Sequence, residues 1–93
     1  MDIENLVPFR IGEQYLIRTV TQYSVGRLKS FHRNFLVLSD ASWVADTGQF
    51  HECLKTGSLE HYQSFVDDVI VNADSIVDAT IWRHELPKMG LTE

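Results

Sequence analysis

The stretch VGRLKSFHRNFLVLSDA, residues 25–41, decides the fold. A glycine, Gly26, opens a segment whose apolar residues fall at Leu28 and Phe31. A polar tip of His32, Arg33 and Asn34 follows, and then Leu36, Val37 and Leu38 run on to Asp40. Two apolar segments joined by so short a polar tip predict a β-hairpin over 24–32 and 35–39, with its turn at Arg33-Asn34. Glycine inside a strand weakens it unless the chain must bend there or another backbone must come close. Gly26 is therefore expected to mark a bend or a close approach.

Outward from the hairpin, QYLIRTVTQY at 14–23 is dense in aromatic and β-branched residues and predicts a strand with apolar groups on both faces. On the other side, VIV at 69–71 and SIVDATIW at 75–82 predict two more strands, split by the tight-turn tripeptide Asn72-Ala73-Asp74. Between the third and fourth strands lies an insertion of about 41–65. It predicts a short helix over 48–55, capped by Asp46 or Thr47, with Phe50 and Leu54 on one face and Gly57 closing it. Residues 2–6 suggest a short N-terminal helix, and the tail over 84–93, with Pro87 and Gly90, is expected to be loose. Five short strands joined by hairpins indicate a single domain over 1–93, built as a small, strongly bent antiparallel barrel.

Composition narrows the function classes. The chain has 93 residues, 44% of them hydrophobic, and a net charge of −5. So small a core leaves limited stability, for which self-association is a natural remedy. The one cysteine, Cys53, cannot form an internal disulfide. The first residues are acidic where a secretion signal is basic, and no apolar run approaches a membrane span. These features predict a cytoplasmic protein with no membrane partner. Charge is uneven: residues 1–38 carry a net +2 and residues 39–93 a net −7. The acidic total disfavours non-specific nucleic-acid binding, while the first half leaves room for one basic face.

The framework residues Gly26, Leu28, Phe31, Leu36, Val37, Leu38 and Asp40 resemble the first motif of Sm and Sm-like proteins, and Val71, Ile76 and Val77 fit the apolar positions of the second. The resemblance covers about a third of the chain. It implies a mainly β, five-stranded, strongly bent antiparallel Sm-like fold, a small open β-barrel, with a short N-terminal helix and a helical insertion between strands 3 and 4. It further implies a cyclic homo-oligomer, a ring of about five to seven subunits toward the low end, closed by pairing of strand edges. The insertion and the acidic bias point to a divergent branch of phage or environmental type, in a bacterial or phage-infected cell.

In that family the RNA-contacting groups are an Asp and an Asn in the first motif and an Arg in the second. Here His32 stands at the Asp position, Asn34 or Phe35 at the Asn position, and Asn72 at the Arg position, with Ala73 for the following Gly. An asparagine cannot reproduce the planar cation of arginine. His32, Arg33, Asn34, Phe35 and Asn72 are the candidate nucleic-acid-binding residues, because His and Phe faces stack on bases and Asn reads base edges. The plain alternative is a solvated turn. Arg18, Arg27 and Lys29 read as ordinary surface charge or as a band tracking phosphates. Trp43 and Trp82 read as packed residues of the core or a subunit interface, and Asp67, Asp68, Asp74 and Asp78 as a solvated face.

Neither a catalytic set nor a metal-ligating set stands out, and no cofactor is expected. His51, Glu52, Cys53 and His61 lack the paired clusters of a closed zinc site. Ser42, Asp46 and His51 lack a nucleophile elbow. The expected function is a ring that binds single-stranded RNA or DNA during nucleic-acid processing. The alternative is a ring-shaped structural or adaptor protein that docks protein partners and no nucleic acid.

Overall fold

A computed structural model describes residues 9–88. The strands are β1 (Gln14–Thr19), β2 (Tyr23–His32), β3 (Phe35–Asp46), β4 (His61–Ser64), β5 (Val69–Asn72) and β6 (Ile76–Ile81), with one helix, α1 (Phe50–Thr56), between β3 and β4. A 3-10 turn, Ala73–Ser75, joins β5 to β6. All pairings are antiparallel, in the order β4-β3-β2-β1-β6, with β5 also on β3. The sheet is open. One free edge is β6, and the other is shared by β4 and β5, which pair with opposite halves of β3.

The mainly β, antiparallel expectation holds, as does the helix between the third and fourth strands. Six strands replace the expected five, and the reason lies at Asp40. There the backbone turns into the left-handed region, φ 49°, a conformation that Asp tolerates better than most residues. Asp40 therefore makes a bulge and does not end the strand. The β2–β3 pairing advances from Val25↔Ser42 to Arg27↔Ser39, leaving an extra residue on β3. β3 continues to Asp46, and its second half takes β4 as a partner through Ser42↔Ser64 and Val44↔Tyr62. The N-terminal helix expected over 2–6 lies outside the described residues.

Alternation and bulges divide the apolar residues between two cores. Tyr15, Ile17, Leu28, Leu36, Leu38, Ala41 and Val71 make the first. Leu16, Val25, Val44, Cys53 and Trp82 make the second, on the other face of the sheet. The Asp40 bulge explains the split along β3. Leu36 and Leu38 point to the first core, Ala41 returns to that face after the extra residue, and Val44 points to the second. Covering both faces buries three successive β1 residues, Tyr15, Leu16 and Ile17.

Gly26 answers the question its position raises. A Cβ there would stand 2.8 Å from the Ala41 Cβ and 3.2 Å from the Leu38 Cβ. The glycine is where β2 lets the bulged β3 come close.

The second core is roofed by α1 and by the segment after β6. Gly57 closes the helix as expected, in the left-handed conformation, its N–H donating to Cys53 O at 2.8 Å. At the other end Gln49 occupies the cap position without a side-chain bond, and Asp46 instead accepts from the Gly48 N–H at 2.9 Å. The buried helical residue is Cys53, while Phe50 lies against Tyr23 with ring centroids 5.9 Å apart.

The described part of the tail, residues 84–88, is held in place where the sequence suggests looseness. Gln14 Nε2 donates to Trp82 O at 3.1 Å and to His84 O at 2.7 Å. His84 Nε2 donates to Leu54 O at 2.8 Å, and Ser42 Oγ to Pro87 O at 3.1 Å. Trp82 anchors this segment in the core, its indole N–H donating to Glu85 O. All these partners are distant in sequence or belong to a buried aromatic, so nothing local in RHELPK announces them.

Candidate nucleic-acid interface

The β2–β3 hairpin reverses through Arg33 and Asn34, with His32 opposite Phe35. Arg33 takes the left-handed turn conformation, φ 58°. On the other side of β3, β5 ends with Asn72 directly opposite Phe35. This register brings the 3-10 turn against the hairpin tip. The Ala73 N–H donates to Asn34 O at 2.6 Å, and Asn34 Nδ2 donates to Asp74 Oδ2 at 2.9 Å. Asn72 caps the turn: its Oδ1 accepts from the Asp74 N–H at 2.9 Å, and its backbone oxygen accepts from Ser75 Oγ at 2.7 Å.

His32, Arg33, Asn34, Phe35 and Asn72, nominated from two separate parts of the sequence, thus form one exposed patch. Phe35 keeps 43% of its surface exposed, a large aromatic face beside polar groups. The two asparagines already have structural bonds, through Asn34 Nδ2 and Asn72 Oδ1. Asp74 is the residue that sequence reading missed as a site member. Its signal is the Asn-x-Asp spacing of a side-chain-capped turn, and only the Phe35↔Asn72 register places that turn at the tip.

The strand cations do not form a free basic band. Arg18 is bound by Asp78 through two hydrogen bonds, and Lys29 Nζ by Asp68 at 2.7 Å. Arg27 meets Asp40 at 3.3 Å and donates to Gln14 Oε1 at 2.8 Å, while Lys88 reaches Asp40 at 3.6 Å. The hydrogen bond from Arg18 holds the Asp78 carboxyl below its usual range, and the corresponding bonds raise Arg18 and Lys29. Three of the four carboxylates in the acidic stretch are engaged with named side chains. Arg33, at the tip, has no such partner among the described residues.

Elsewhere the chemistry is structural. Ser42 is buried and shares a hydrogen bond with Ser64, with no histidine on its oxygen. Cys53 is buried, and burial pushes its thiol up. Among the described residues, no three His, Cys, Asp or Glu side chains gather in a metal-binding group. Trp43, half-buried, donates its indole N–H to Gln22 Oε1 at 2.9 Å.

A groove of about 1110 Å³ runs between residues 56–59 with Tyr62 and residues 84–88, beside Gln14, Arg27 and Asp40. Its lining holds the Arg27–Asp40 ion pair, with Lys88 on the same carboxylate, and Glu85. Among the described residues no helix is long and apolar enough to cross a membrane. No protein-family model matches the chain, and no curated protein matches it.

Proposed function

We propose that this chain is an Sm-like, ring-forming subunit that binds single-stranded RNA or DNA at the hairpin tip, in the cytoplasm of a bacterial or phage-infected cell. The observation that carries the reading is the convergence of His32, Arg33, Asn34, Phe35 and Asn72, from two distant segments, on one exposed patch with an aromatic face. Stacking on Phe35 and His32, with Arg33 on the phosphates, suits unpaired nucleotides. Support for a ring comes from the open sheet, a small bent barrel without closure. Its free edges carry exposed apolar residues, Val77 and Ile81 on β6 and Ile70 on β5. Such edges favour pairing with further strands, and a head-to-tail contact that closes gives a ring of about five to seven copies. Repetition of the tip around a ring adds weak contacts by avidity.

The second reading, an adaptor ring without nucleic acid, is favoured by the pairing of the strand cations and the net charge of −5. One experiment separates the two. Labelled single-stranded RNA and DNA are titrated with the protein at low and moderate salt by fluorescence anisotropy, with native mass measured on the same sample. Micromolar binding by a ring, weakened by salt and by Arg33→Ala, is the expected result. A ring that binds neither strand at low salt refutes the nucleic-acid reading in favour of the adaptor. A monomer refutes the ring.

A further inference from the structure

Asp74 organises the tip. Its N–H is bound by Asn72 Oδ1, and its carboxylate accepts from Asn34 Nδ2. The Asn34 amide is thereby oriented, with its nitrogen on the carboxylate. A carboxylate has roughly four lone-pair sites on its two oxygens, and here one is occupied. This end of the patch therefore presents the acceptors of the exposed Asp74 carboxylate. Asp74 stands two residues along from Asn72, the cross-strand partner of Phe35.

We propose, on the basis of the nucleic-acid reading above, that the tip selects guanine in a single strand. Asp74 accepts from N1–H and N2–H of the guanine Watson–Crick edge while Phe35 stacks on the base. Guanine is the base that carries two adjacent donors on that edge, and a carboxylate is a fork of two acceptors at matching spacing. Uracil sets a single donor between two carbonyls, so the same carboxylate faces like against like and rejects it. Asn34 acts as a positioning residue, holding the carboxylate without touching the base. Arg33 supplies the positive charge that lets a phosphate backbone approach a tip bearing Asp74.

The test uses short labelled RNAs of equal length: uridine alone, uridine interspersed with guanosine, and uridine interspersed with adenosine. Each is titrated with the wild-type protein and with Asp74→Asn. That variant keeps both the side-chain size and the backbone N–H that Asn72 binds. The guanosine RNA is expected to bind roughly tenfold more tightly than the other two, the discrimination a good bidentate pair provides. In Asp74→Asn that advantage disappears: the guanosine RNA binds more weakly, and the uridine RNA, no longer facing a carboxylate, binds at least as tightly as to the wild type. Equal wild-type affinity for all three, or preference for another base, overturns the guanine inference and leaves the binding reading intact. Failure of the folded protein to bind any of the RNAs or their DNA counterparts overturns both.

Discussion

The close approach at Gly26 allows a prediction whose sign depends on competing magnitudes. Replacing Gly26 by Ala places a methyl 2.8 Å from the Ala41 Cβ, 3.1 Å from the Ala41 Cα and 3.2 Å from the Leu38 Cβ. None of these atoms is the flexible end of a long side chain. Overpacking of this kind costs about 1–3 kcal/mol. Against it, Ala is better than Gly in a strand by about 0.5–1 kcal/mol. Gly26 has no positive φ, so backbone strain does not enter. The net expectation is a loss of about 1–2 kcal/mol, which for a domain this size lowers Tm by about 5–15 °C. The assay is urea unfolding at one fixed protein concentration, since self-association would add to apparent stability. Ala41→Gly in the Gly26→Ala background removes the nearest clashing atom and restores part of the loss. Recovery is incomplete because the Ala41 Cα and Leu38 Cβ remain. A favourable coupling of about 1 kcal/mol between the two positions is expected from the double-mutant cycle. If Gly26→Ala is as stable as wild type, or the two changes simply add, the close approach is not what requires the glycine.

Three further outcomes are expected. Trp82→Ala should cost about 3–5 kcal/mol and open residues 82–88 to protease, because it removes a buried ring from the second core; unchanged digestion would show that the segment is held without it. The carboxyl of Asp78 is lowered by its hydrogen bond from Arg18. Its contribution is therefore present above the ordinary carboxylate range, about pH 4, and is lost as pH falls through the lower folded value. Arg18→Gln should flatten that acid limb of the stability profile, and an identical limb in the variant would remove Arg18 as the cause. Cys53 should react with a thiol reagent at neutral pH only when the chain unfolds, since it is buried and its thiol is raised by burial; fast labelling under native conditions would contradict its place under α1.

The hairpin was legible because its signals are local: apolar spacing on two short segments, a polar tip, and a glycine with a steric purpose. The continuation of β3 was not, because Asp40 reads as a stop and acts as a bulge. β4 was hidden for a different reason. HYQS has one apolar residue, Tyr62, and its strand character comes from the second half of β3 beside it. The docking of residues 84–88 rests on Gln14, Ser42 and Leu54, contacts that no window along the sequence contains. At the candidate site, the resemblance to the Sm-like motifs nominated the five side chains by position, and their residue types suggested what they could contact. The register that joins Phe35 to Asn72, and with it Asp74, is a property of the paired sheet.

The edge opposite β6 is broken into two pieces of four residues each, β4 and β5, separated by residues 65–68. Asp68 pins that interruption to Lys29 on β2. An incoming strand meets two short ladders, where an unbroken strand would offer a single long one. Long, flat, unbroken edges are the ones that recruit strands indiscriminately and grow into fibrils. The interruption therefore limits what can add to this side of the molecule to a short strand in one register. A protein with an open sheet stays in solution more safely when its sticky margin is notched in this way.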